Sequence, residues 1–526
     1  MQRLLSITGA CLYLIAELQI ALLRAVVGRP VGQACNIRIP GLRKLYPVLN
    51  HRIGQHPVLF THRLWIQVVE CVADLQTVVL PTITLVRQVG ASFWLATLVF
   101  VGMLAGIALL DLHNTLIALA AAMLIFAISY LGDPISETFF IFTFDTALEY
   151  VDWNVVFLVM GMMMFIAVVE RTGIFQWLAF AAYRLSGGRT WLLLAILMLI
   201  AGVASAFLDN VTTMLLMTPI SVQIAVTLGL NPLSLLIPAV MASNVVGVST
   251  LVGTPTNILI GSFADISFND FLTNLTPGVL LAFLGLVIYS LIIYRRDLGQ
   301  TDAQSPQLLA RLAERAQIEE PGNLRKAAWV GGGMLLLFLF GEQIHLTPAV
   351  TAMMGATALL LWIRPDVEEM IDAVDWTTLV FFMALFIVVG AIQEVGVISM
   401  LAAQIGRFVG DSLLLAMLAV IWLSALFSTV VANIPFTAAM LPVVGFLTAT
   451  VPGAQSKALF YCLSVGSAMG GNGSLIGASA NLVTAGIAER AGYPITYGHF
   501  LRKGVPALLV TVALATIWLL IRFIIL

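Results

Sequence analysis

One carboxylate stands almost alone in the apolar body of the chain. Asp209, in Ser205-Ala206-Phe207-Leu208-Asp209-Asn210-Val211-Thr212-Thr213, is the single Asp or Glu between Glu170 and Asp265. In a bilayer centre such a group costs about 2.5 to 3.5 kcal/mol on insertion scales, so it must face a polar cavity or be neutral. Two roles are open to it. It can cap a half-helix by accepting amide hydrogen bonds, with Asn210, Thr212 and Thr213 satisfying a broken backbone. It can also load and unload a proton or cation during transport, and the two roles are compatible.

Two stretches rich in small residues follow the same logic: Gly247-Val248-Ser249-Thr250-Leu251-Val252-Gly253-Thr254-Pro255-Thr256-Asn257 and Gly470-Gly471-Asn472-Gly473-Ser474-Leu475-Ile476-Gly477-Ala478-Ser479-Ala480-Asn481. Glycine permits unwound backbone and close approach of a ligand, and Pro255 removes a helical donor. An unwound turn between half-helices offers carbonyls to a cation and amides to an oxyanion. The spacings Gly466/Gly470 and Gly473/Gly477 also suit close helix packing, but packing alone does not account for Asn257 and Asn481. The candidate substrate or ion ligands are therefore Asp209, Asn210, Thr212, Thr213, Gly253, Thr254, Pro255, Asn257, Asn433, Asn472, Gly473, Ser474, Gly477, Ser479 and Asn481, with Asp209 the proton-coupling group. No metal site is expected.

The elements that hold these residues are duplicated. Val151-Asp152-Trp153 recurs as Val374-Asp375-Trp376, Gly173 as Gly396, Asn210 as Asn433 and Pro219 as Pro442, each pair 223 residues apart. After one inserted residue Gly253 and Asn257 recur as Gly477 and Asn481, and Phe271-Leu272 with Pro277 recurs as Phe500-Leu501 with Pro506. Asn, Asp-Trp and Pro are scarce in membrane spans, so colinear matches among them mark an internal repeat. Duplicated halves with interrupted hydrophobic segments at matching places are the signature of secondary transporters. An odd number of crossings between the halves would invert one relative to the other. The carboxylate is not repeated: Ala432 stands where Asp209 does, which favours one coupling site over two.

Composition fixes the solvent. Of 526 residues 60% are hydrophobic and only 10% charged, against roughly 25% charged in soluble chains, so the chain is an integral membrane protein. A net charge of −2 excludes a nucleic-acid protein. Cys11, Cys35, Cys71 and Cys462 form neither a CxxC pair nor a disulfide framework. Apolar spans are expected near 93–110, 114–131, 154–169, 328–345, 348–363, 377–393 and 505–525, with broken apolar regions at 190–294 and 412–486, about 11–12 spans in all. Residues 1–90 read as an apolar helix at 4–23, a cytoplasmic basic stretch from Arg24 to Arg63 and an interfacial segment from 64 to 90. Leading helices occupy 91–150, the first repeat 151–297, a cytoplasmic loop 298–327, linking helices 328–373 and the second repeat 374–526.

What is missing matters as well. No Lys or Arg lies between Arg189 and Arg295, and only Lys457 between Arg407 and Arg490. A strongly anionic substrate would have to rely on half-helix dipoles and bound cations, whereas a neutral hydroxylated solute or a small cation would not. No phosphate loop, HExxH or GxSxG motif occurs, so neither ATP hydrolysis of that type nor an intramembrane hydrolase is indicated. No cofactor is expected beyond a coupling ion, H+ or Na+.

At these motifs the chain resembles the ion-transporter superfamily, in the branch of the arsenite permeases, the NhaD-type sodium/proton antiporters and the melanosomal P protein, with a citrate-transporter-like domain. The resemblance rests on SAFLDNVTTMLLMTP at 205–219, ASNVVGVSTLVGTPTNILIGS at 242–262, ANIPFTAAMLP at 432–442 and GGNGSLIGASANLVTAGIAERAGY at 470–493, and covers about 150 to 520. It implies an all-α polytopic protein of two inverted repeats, each with a re-entrant hairpin and a broken helix whose tips meet at the substrate. Asp209-Asn210-Val211-Thr212 and Asn433 would be hairpin-tip residues, and 253–257 and 477–481 the broken-helix turns. It also implies an elevator-like moving domain and a homodimer through the scaffold, in the cell membrane. Where the family shows Asp-Pro-Pro-Asn or Thr-Pro-Pro-Asn, this chain has Thr254-Pro255-Thr256-Asn257, and the Ser-Asn-Thr tips of dicarboxylate carriers are replaced. Proton-coupled efflux of arsenite or antimonite is the leading expectation; a sodium/proton antiporter and a sodium-coupled anion transporter are the alternatives.

Overall fold

The computed structural model describes residues 90–110, 112–299 and 318–525, all within one compact unit. The helix expected at 4–23, the basic stretch after it, the interfacial segment up to residue 89 and most of the loop 298–327 lie outside the described residues.

Among the described residues there are twenty α-helices and no strand. The first ten are α1 (Ala91–Leu109), α2 (Asn114–Gly132), α3 (Phe144–Glu149), α4 (Trp153–Glu170), α5 (Ile174–Ser186), α6 (Thr190–Phe207), α7 (Asn210–Thr227), α8 (Leu233–Val246), α9 (Pro255–Ala264) and α10 (Phe268–Ile293). The second ten repeat the order: α11 (Pro321–Phe340), α12 (Pro348–Ile363), α13 (Val367–Asp372), α14 (Trp376–Glu394), α15 (Val397–Val409), α16 (Leu413–Val430), α17 (Asn433–Thr450), α18 (Ala458–Gly470), α19 (Ser479–Arg490) and α20 (Tyr497–Leu520). The correspondence begins upstream of the motif repeat, at α1 and α11.

The repeated residues have repeated local jobs. Asp152 caps α4 through amides of Asn154 and Val155 at 3.0 and 3.4 Å, and Asp375 caps α14 through amides of Thr377 and Thr378 at 3.1 and 3.2 Å. Burial pushes the Asp375 carboxyl up, but the hydroxyls and amides of Thr377 and Thr378 outweigh it and hold the group below the usual carboxylate range. Gly173 and Gly396 open α5 and α15 in the left-handed conformation, φ 75° and 83°, which a side chain would resist. Helices α5 and α15 are amphipathic and suit an interfacial course. Large apolar side chains such as Leu116, Leu131, Leu336 and Leu361 face outward, as they do when the solvent is hydrocarbon.

Among the described residues ten helices are long and apolar enough to cross a membrane. Four of them, α6, α7, α16 and α17, are arms of two hairpins, each turning at residues 208–209 or 431–432 against the unwound centre of a broken helix. The hairpins therefore enter and leave by one face. Counting α1, α2, α4, the α8–α9 broken helix and α10 gives five crossings per half, and an odd number inverts the second half relative to the first. If α1 enters from face A, the loops pair side with side. On face A, Lys457 Nζ donates to the Asp265 carbonyl at 2.6 Å and the Tyr150 hydroxyl to Glu394 at 2.7 Å. On face B, Arg171 meets Glu369 at 2.7 Å and Thr115 donates to the Thr377 carbonyl at 2.8 Å. Ten crossings plus two hairpins account for the eleven to twelve spans expected, because hydropathy registers a hairpin as apolar length without registering its return.

The halves are interleaved. Helix α2 packs on α14 of the other half, α12 packs on α4, and α10 and α20 pack on each other. Entry arm α6 packs along α8 and α16 along α18, while return arm α7 lies on α19 and α17 on α9, so each hairpin packs on its own broken helix along its entry arm and on the other half's along its return arm.

Candidate functional site

Each hairpin tip is fastened to the break of its own half by one repeated hydroxyl. Thr250 donates its Oγ1 to the Ala206 carbonyl and accepts from the Gly253 amide at 3.1 Å. In the second half Ser474 donates to the Thr429 carbonyl at 2.5 Å and accepts from the Gly477 amide at 3.1 Å. The approach demands glycine: a Cβ on Gly253 would stand 2.6 Å from the Ser205 carbonyl, and one on Gly477 2.7 Å from the Ser428 carbonyl. Thr254 caps α9 by accepting from the Asn257 amide at 3.3 Å, with Pro255 at the first helical position, where its missing donor costs nothing.

The two asparagines of the breaks act as braces. Asn257 Nδ2 donates to the carbonyls of Val248 and Thr250 at 2.9 and 2.7 Å, and Asn481 Nδ2 to those of Gly471 and Ser474 at 2.8 and 2.9 Å. Unwinding frees carbonyls that no water can satisfy at this depth, and these amides satisfy them. Their Oδ1 atoms are taken by the opposite half: Ser464 of α18 donates to Asn257 at 2.5 Å, and Asn244 of α8 to Asn481 at 3.0 Å.

Asn244 is the hub. It accepts from Asn210 Nδ2 at 2.8 Å and donates to Asn472 Oδ1 at 2.9 Å as well as to Asn481; Asn472 passes on to the Met241 carbonyl at 3.2 Å. Four buried asparagines thus join the first hairpin tip to the second break across the repeat boundary. Sequence reasoning missed Asn244, Thr250, Ser464 and Ser205 as members of the site. The scarcity argument applied to Asp209 would have flagged Asn244, a lone amide among Ala, Val and Met on a helix.

Asp209 caps α7. Its Oδ1 accepts from the amides of Val211 and Thr212 at 2.9 and 3.0 Å, and its Oδ2 from the Thr212 hydroxyl at 2.5 Å. The carboxylate is only partly covered, while Asn210 and Asn433 are 3% exposed. At the second tip Ala432 has no side chain with which to cap α17, and the Asn433 amide instead donates to the Gly477 carbonyl at 3.2 Å. The hydroxyls of Ser205 and Thr213 are buried beside the first tip with no hydrogen-bond partner among the described residues. Gly473 packs under Thr429 and Ser479 opens α19. All the predicted site residues therefore fall on the two tips, the first turn behind the first tip, or the two breaks. Among the described residues no three His, Cys, Asp or Glu gather as a metal site would require.

Two inverted halves, two tip-to-break junctions and a buried polar core define a membrane transporter of the inverted-repeat type. The chain belongs to the citrate transporter family, whose model matches residues 95–456. It is 34% identical over 435 residues to an uncharacterized transporter of Mycobacterium tuberculosis, covering 82% of this chain and 99% of that one. It is 34% identical over 434 residues to a 46 kDa membrane protein of Mycobacterium leprae, with the same coverage. The human P protein is 31% identical over an alignment of 509 positions that covers 82% of this chain and 60% of that protein. The fold is similar to that of the Alcanivorax borkumensis YdaH transporter, whose crystal structure is described as revealing an unusual topology: TM-score 0.50 and 14% identity over 81% of this chain and 97% of that one. The chain is accordingly an integral multi-pass membrane protein that moves an ion or small solute.

Proposed function

We propose that the protein is a proton-coupled secondary transporter that expels a small, uncharged or cationic inorganic solute, with arsenite or antimonite the leading substrate. The observation that carries this reading is the asymmetry of the two tips: equivalent junctions, a single carboxylate at Asp209, and, among the described residues, no basic side chain beside either. Substrate would sit where Asp209, Asn210, Asn433 and the partnerless Ser205 and Thr213 hydroxyls surround the turns, since the amides of Asn257, Asn472 and Asn481 are spent on backbone carbonyls and that of Asn244 on Asn472 and Asn481. A trihydroxide can exchange hydrogen bonds with amides and hydroxyls, and needs no cation to hold it. A tricarboxylate such as citrate would meet no Lys or Arg there, because Lys457 is tied to the surface carbonyl of Asp265.

The same arrangement supports sodium/proton exchange as a second reading, favoured by the Ser205 hydroxyl standing next to unwound backbone. In either case Asp209 exchanges its proton for the transported species, so affinity differs between the two facing states. The hairpins and broken helices would move as one body against a scaffold of α1, α2, α4 and their counterparts, paired as a dimer through that scaffold.

The test is proton flux in everted vesicles against arsenite, sodium and citrate in parallel. Arsenite-driven proton movement, lost in Asp209→Asn, supports the first reading; a response to sodium alone selects the second; a response to citrate alone overturns both.

A further inference from the structure

A cavity of about 330 Å³ lies between α11, α4 and the first hairpin. Its walls include Phe165 of α4, Leu208 of the tip, Val252 of the break, Phe268 of α10, and Ala328 and Gly332 of α11. Every lining residue is Met, Phe, Val, Leu, Ala or Gly, so water finds no hydrogen-bond partner there. The inner wall is sealed from the surface, with Leu208 8%, Val252 4% and Phe268 2% exposed. The outer wall is open: Ala328 and Gly332 are exposed, and they are flanked on α11 by the outward-facing Trp329, Leu336 and Phe340. The mouth is therefore continuous with the surface that meets hydrocarbon. An apolar void left empty forfeits the dispersion contacts of its walls, and the medium at its mouth is made of chains that can supply them.

We infer that one acyl chain of a bilayer phospholipid occupies this cavity and forms part of the wall behind the Asp209 tip. The chain enters over Gly332, where a Cβ would meet nothing within 4 Å, and reaches Leu208, the residue before Asp209. It thereby keeps water out from that side of the site. The tip and the break contribute one wall and α4 with α11 the other, so a displacement of the tip relative to α11 must be accompanied by movement or release of the lipid.

The experiment reconstitutes the full chain in liposomes containing phosphatidylcholine with a photoactivatable diazirine in the acyl chain, then maps adducts by peptide mass spectrometry. Adducts are expected on the sealed inner wall, at Leu208, Val252 or Phe268, besides those on outward residues such as Trp329. Gly332→Trp, which fills the mouth from open space, should abolish the inner adducts and spare the outer ones; Ala328→Phe serves the same purpose if the first variant does not fold. Adducts confined to outward residues, or inner adducts that survive both fillings, overturn the proposal. Neither outcome depends on the transported substrate.

Discussion

Asp209 caps α7 and, in the proposed mechanism, exchanges the coupling proton, and substitution can separate the two. Asparagine caps a helix about as well as aspartate, whereas alanine at such a position costs about 0.5–2 kcal/mol. Asp209→Asn should therefore melt like the parent in detergent while losing proton movement, and Asp209→Ala should lose both stability and movement. Asn244 presents the opposite case, since it is not itself a candidate ligand yet holds three asparagines that are. Asn244→Ala strands donors and acceptors on Asn210, Asn472 and Asn481, each buried group costing about 1–3 kcal/mol. A lowered melting temperature and a weakened coupling of transport to protons are expected together. The carboxylate was legible because a charge inside apolar sequence is conspicuous by itself. Asn244 is as scarce in its surroundings, but its role comes from amides that the first tip and the second break bring to it, and no local spacing records that.

Each break depends on a close approach to its hairpin, so the elements are most sensitive where backbone meets backbone. Gly477→Ala forces a methyl toward the Ser428 carbonyl; overpacking of this kind costs about 1–3 kcal/mol. The folded yield and melting temperature should fall, with transport falling further because the tip is lifted from the turn. Gly332→Ala, on an open surface, should leave both unchanged, which makes it the control for glycine loss as such. The repeat was readable from residues that tolerate little substitution, Val-Asp-Trp, Asn and Pro. Its extension to α1 and α11 was not, because those helices are built from interchangeable Leu, Val and Ala whose identities two copies need not share. Hairpin arms of 18 residues have the length of a span, and only their tips against the breaks show that they turn back.

For the whole molecule, charge placement suggests an orientation. Of the fourteen Lys and Arg among the described residues, eleven (Arg171, Arg184, Arg189, Arg295, Arg296, Arg325, Lys326, Arg364, Arg490, Arg502 and Lys503) lie at or near face B, and three (Arg407, Lys457 and Arg522) at face A. By the positive-inside rule face B is expected to be the cytoplasmic one. In a cysteine-free background, a cysteine in place of the exposed Asp145 should react with an impermeant maleimide on intact cells, and one in place of Glu368 only after permeabilisation. The reverse pattern would turn the molecule over.

The interleaving of the halves bears on how such a chain could have arisen. Helices α10 and α20 are each other's counterparts and pack together, so the pseudo-two-fold axis passes between them, as an isologous contact does in a symmetric dimer. A lone half would leave the faces of α2 and α4 that grip the other half exposed. A free-standing half with these faces would need to insert in both orientations and pair with an inverted copy of itself. The two segments 90–299 and 318–525, produced as separate chains, should still find each other.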